Sequence, residues 1–234
     1  MMILPVPLYP RLVQRMRSDA VFTVACIGWI VCNGCTTAAA NPGGAPIAQV
    51  AGAEDTTATV TVPAGYGSLR QDDIAIRLQP QGLIVRAIPL DEDVIRLLTP
   101  DSYRALRDLE ESNRTAIESI TRRSGGRRPT SWYVSFYGLQ PEARFSPMDL
   151  VITSAGQDFR PIDVIPLTTG FGEQRLKQRE TQSAVYLFPA EVDVDHPLTV
   201  TFQGERNSTW EQLLQRIERE RALVRARASG SNYR

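Results

Sequence analysis

All three cysteines of this 234-residue chain, Cys26, Cys32 and Cys35, fall close together at the end of its one long apolar run. Ala45–Arg234 contains none. A small secreted domain stapled by disulfides spreads its cysteines through the folded part. Whatever this chain folds into is therefore held by an apolar core and hydrogen bonds, without cross-links. The composition allows that: 42% hydrophobic and 22% charged is ordinary for a globular protein. The region beyond residue 34 is of the size expected for one domain plus a tether. From Ala45 on, the chain also lacks any thiol for nucleophilic catalysis. The 26 basic side chains balance 26 acidic ones, and this absence of a basic excess excludes a nucleic-acid binder.

Arg11, Arg15 and Arg17 precede the apolar run AVFTVACIGWIVC (Ala20–Cys32), and small residues follow it. A positive segment, an apolar segment and a small-residue exit, in that order, make a secretory signal. The run spans roughly 20 Å as helix, against about 30 Å of membrane hydrocarbon, too short to cross comfortably. Pro5, Pro7 and Pro10 read poorly as helix; a start at Met16 gives a more compact signal of the same kind.

At Val31-Cys32-Asn33-Gly34-Cys35 the sequence resembles a bacterial lipobox. The resemblance implies a diacylglycerol on Cys35, which becomes the new N-terminus and anchors the chain to a membrane. Ala25-Cys26 competes as a site but has too little apolar sequence ahead of it. Thr36 follows the cysteine where aspartate would mark inner-membrane retention in enteric bacteria, so the resemblance implies the periplasmic face of the outer membrane rather than the inner membrane. The chain then divides into a signal sequence (1–34), an Ala/Thr/Gly/Pro-rich flexible tether (35–65), one globular domain (66–228) and a disordered tail (229–234).

Within the domain, Ile74, Ile76 and Leu78 alternate with Ala75 and Arg77, Pro80-Gln81-Gly82 forms a turn, and Leu83–Ile88 returns as a second strand. Asp91–Leu98 reads as a short helical turn. Thr99-Pro100 has the form of a helix start, and one helix is expected from there to about Arg123, ended by Gly125-Gly126. Strand-like runs follow at 132–139, 148–153, 159–167, 183–188 and 198–203, with Pro or Gly in nearly every gap. Ser208-Thr209-Trp210-Glu211 reads as a capping box, opening a helix to Ala228 with Trp210, Leu213, Leu214, Ile217 and Val224 on one face. The expected fold is α+β: a mostly antiparallel, sandwich-like sheet of about seven strands, with one inserted helix and a C-terminal helix.

No catalytic, cofactor or metal motif stands out. His196 is the one histidine; with Asp193 and Asp195 it reads first as a solvated edge before a strand, and second as a cation site. Asp91-Glu92-Asp93 reads as acid at a helix N-terminus. The densest charge cluster is Arg122, Arg123, Arg127 and Arg128 around Ser124-Gly125-Gly126. Four guanidiniums about a glycine turn suit an anionic head group or an acidic partner, though basic residues in a last helical turn also complement its dipole. Tyr133 and Tyr137 alternate away from Trp132, Val134 and Phe136 and offer a second candidate surface. Three functions follow. The first is a non-enzymatic binding or scaffolding component of the cell envelope, or an accessory subunit of a membrane complex, with an envelope protein or anionic head group as partner. The second is a carboxylate-dependent hydrolase of envelope polysaccharide or peptidoglycan. The third is a small-ligand module.

Overall fold

The structure, a computed structural model, describes residues 62–231. The signal sequence, Cys35, most of the tether and the last three residues lie outside the described residues. Strands β1 (Ile76–Leu78) and β2 (Leu83–Pro89) form the expected hairpin, in register Ile76 to Ala87. The first strand begins later than the alternation suggests. Gln71–Asp73 closes instead into a 3₁₀ turn, with Arg70 N donating to Asp73 Oδ2 at 2.8 Å.

The remaining strands are β3 (Thr130–Gly138), β4 (Ala143–Arg144), β5 (Val151–Ser154), β6 (Gln157–Phe159), β7 (Asp163–Pro166), β8 (Arg175–Leu176), β9 (Thr181–Phe188), β10 (Leu198–Phe202) and β11 (Glu205–Asn207). They build a five-stranded sheet in the order β1-β2-β3-β9-β7, a four-stranded sheet β11-β10-β5-β6, and a small β4-β8 clip, with every strand pair antiparallel. The α+β class is as expected, with eleven strands among the described residues rather than about seven. The run 159–167, expected as one strand, holds only the last residue of β6 and, beyond Pro161, the whole of β7. Pro161 has no N–H to continue a ladder, so the chain leaves the second sheet at Phe159 and joins the first at Asp163.

Period-2 alternation on β3 sends Trp132, Val134 and Phe136 into the space between the sheets, all fully buried. Phe136 meets Phe202 of β10 at 5.5 Å and stacks on Phe145 at 4.4 Å, so aromatic rings knit one sheet to the other. Such pairs add about 0.5–1.5 kcal/mol each beyond their area. The opposite face of the five-stranded sheet carries Ile88, Val185 and Leu187, also fully buried. Helices α1 (Glu92–Ile95), α2 (Pro100–Ser112) and α3 (Arg114–Arg123) lie between β2 and β3 in the chain. They bring Tyr103, Leu106, Ile117 and Ile120 into the same apolar cluster.

The single inserted helix of the sequence reading is corrected to a pair, α2 and α3. At Asn113 the backbone leaves helical geometry (φ −103, ψ 4), and its side-chain Nδ2 donates back to Leu109 O at 2.8 Å, the competition with the backbone expected of asparagine. The last helix, α4 (Trp210–Ser231), buries Trp210, Ile217 and Val224 completely, and Trp210 stands 6.2 Å from Trp132. It runs past Ala228 into the stretch expected to be a disordered tail, with Ser229 Oγ donating to Arg225 O. Its start also differs from the capping box. Thr209 N and Oγ1 donate to Asn207 Oδ1, at 2.8 and 2.7 Å. At the other end Val62 is already buried, so the ordered domain starts before residue 66.

Candidate functional site

The four arginines singled out in the sequence flank a turn in which Gly125 and Gly126 take φ of 92° and 83°, values that favour glycine. They do not converge on one point. Arg123 pairs with Asp163 on β7 at 3.3 Å, Arg127 with Glu191 at 3.0 Å, and Arg128 with Glu110 on α2 at 2.6 Å. Arg122 makes no ion pair among the described residues.

Arg122 and Arg128 do share a cleft with residues that their sequence positions gave no reason to group. It encloses about 680 Å³ and is lined by Glu92 of α1, Arg96 just past its end, Arg107 and Glu110 of α2, and several residues of α3. Among the lining residues, Glu92 offers one carboxylate oxygen, Oε1, that accepts from Arg96 Nε (2.7 Å), Tyr103 OH (2.9 Å) and Arg107 Nη1 (3.2 Å). Arg107 also donates to the Tyr103 hydroxyl and lies over its ring, 5.8 Å from the centroid. The bond to Glu92 holds the Arg96 guanidinium more firmly protonated than usual, and the bond to Tyr103 does the same for Arg107. Glu111 and Arg114 on the rim pair with each other. Nine of the eleven residues that line the cleft are arginine or glutamate, and their apolar stems, with Ile117 and Thr121, make up the rest of its surface. Glu92 Oε1 and Glu110 Oε1 each accept from arginine.

The other candidates resolve into local structure. Asp91 caps α1, accepting from Asp93 N and Val94 N at 3.0 and 3.2 Å. Burial raises its pKa, and the charges of Asp93 and Asp195 add to the effect. His196 Nδ1 contacts Asp193 Oδ2 at 2.7 Å, while Asp195 pairs with Arg221. Among the described residues no group of three or more potential ligands is placed to hold a metal ion. Tyr133 and Tyr137 are half-buried on the sheet face opposite Trp132.

Sequence reasoning missed Ser68 and Glu220. The stretch Gly65-Tyr66-Gly67-Ser68 is no nucleophile elbow. Ser68 donates both its amide and its hydroxyl to Glu220 Oε1 on α4, at 2.9 and 2.8 Å. No local signal joins residues so far apart in the chain, and a glutamate among arginines on a helix reads as solvated. No known protein-family model, curated protein or solved structure matches the chain significantly.

Proposed function

We propose that this chain is an exported, lipid-anchored envelope protein, held at the periplasmic face of the outer membrane through Cys35, whose domain docks another envelope protein rather than catalysing a reaction. The observation that supports the docking role is the roughly 680 Å³ cleft lined mostly by arginines and glutamates on and around α1, α2 and α3, while the anchor rests on the lipobox resemblance at Cys35. Ion pairs on such a surface are individually weak, about 0–1 kcal/mol, so they exchange readily for pairs with a complementary partner. Mixed charge of this kind sets register, orientation and association rate. Arg122, without an acid of its own among the described residues, is the natural first contact for a partner carboxylate.

The test fractionates cells that express the full chain as wild type, Cys35→Ser, or Arg122→Glu with Arg128→Glu, and purifies the membrane-bound forms in detergent. The proposal expects wild type to co-purify one protein stoichiometrically. Cys35→Ser should leave the membrane fraction, and the double reversal should lose the partner while melting as wild type does. A partner retained by the double reversal, or binding only to vesicles of anionic phospholipid, contradicts it.

A further inference from the structure

The segment Val62–Leu69 enters the domain across two elements that the chain reaches much later. At its near end, the Val62 carbonyl accepts from Arg96 Nη1 at 3.0 Å, and the same guanidinium reaches Glu92, which lines the cleft, through Nε. At its far end, Leu69 N donates to Leu97 O at 3.1 Å and Thr99 N to Leu69 O at 2.8 Å, a parallel bridge onto the exit of α1. Between them Gly67 lies backbone to backbone with the turn that follows α1: a Cβ there would stand 2.2 Å from Leu97 C and O, closer than any side chain allows. The other side is gripped by α4. Glu220, its side chain only 6% exposed, takes both Ser68 bonds and a third from Arg227 Nη1 at 2.7 Å. Arg227 donates in turn to Tyr66 O at 2.7 Å.

We infer that Val62–Leu69 is a strap through which whatever pulls on the chain ahead of the domain reaches the charged cleft. Glu220 and Arg227 clamp the strap to α4, and Arg96 links it to Glu92. This rests on the reading of that cleft as a docking site and of the preceding residues as its tether. The coupling is reciprocal, as any equilibrium linkage must be. A partner that draws Arg96 or Glu92 to itself loosens Val62, and tension that lifts Val62 frees Arg96 for the partner.

Hydrogen exchange on the isolated full chain tests the strap with no partner present, so a failure of the docking reading leaves the result standing. Glu220→Gln is expected to speed exchange about tenfold at the Leu69 and Thr99 amides and at the Arg96 amide at the end of α1, with the β3 and β9 amides unchanged. In the reverse direction, Arg96→Gln should speed exchange at the Ser68 amide. Ser68→Ala, which removes one bond only, gives a milder reading should Glu220→Gln fold poorly. Acceleration confined to α4 and Ser68, or an Arg96→Gln variant that leaves the Ser68 amide untouched, overturns the coupling.

Discussion

Glu220 holds a carboxylate that burial alone would push toward the neutral form. The Arg227 guanidinium and the Ser68 hydroxyl and amide more than offset that, and together they draw its pKa below the ordinary carboxylate value. The folded protein therefore binds this proton less tightly than the unfolded chain does. The resulting stability is complete at neutral pH, begins to fall as pH drops through the ordinary carboxylate range, and is gone below the folded value. Removing the charge from a buried, hydrogen-bonded pair is costly, and Arg227 is partly exposed, which moderates the loss. Glu220→Gln is expected to cost about 2 kcal/mol at neutral pH. Urea melts of both proteins between neutral and strongly acidic pH check this: the gap between them should close as pH falls. A gap that stays constant would mean that Glu220 contributes through packing rather than charge.

At the level of elements, α4 gives the clearest ordering. Ile217 is fully buried, Leu214 is half-buried against the core, and Leu223 is 51% exposed. Truncation to alanine should follow that order: about 2–5 kcal/mol for Ile217→Ala, roughly half as much for Leu214→Ala, and within about 0.5 kcal/mol of wild type for Leu223→Ala. At the helix start the cost of a lost cap, about 1 kcal/mol, belongs to Asn207→Ala rather than Ser208→Ala, because Asn207 Oδ1 holds both Thr209 donors. Thermal unfolding of the series decides. Equal losses at Ile217 and Leu223 would mean that the helix docks by a different face.

Over the whole molecule, what could be read from the sequence was what repeats locally. The alternation of β3, the β1–β2 hairpin and the apolar stripe of α4 each occupy one contiguous stretch, so a period of two or of 3.6 exposes them. Strands β6 and β11 escaped because their hairpin turns are Ala155-Gly156 and Gln203-Gly204, with positive φ at all four residues, whereas Asn-Gly or Asp-Gly is the recognisable signal. Strands β4 and β8, two residues each, are too short to show any period. The site is harder still. Arg122, Arg123, Arg127 and Arg128 drew attention by being adjacent in sequence, yet three of them point to different acids, and the cleft is assembled from Glu92 to Arg128 by the folding of three helices. Spacings such as Glu92–Arg96 look from sequence like any solvated helix face. The docking role of that cleft is tested most directly by a photo-reactive side chain placed at Glu118, on its wall, with the exposed Leu223 of α4 as the control position, in the full chain in living cells. The account predicts one discrete adduct from position 118, absent from position 223 and abolished by Arg122→Glu with Arg128→Glu. The same adducts from both positions, or an adduct at 118 that survives the double reversal, would contradict it.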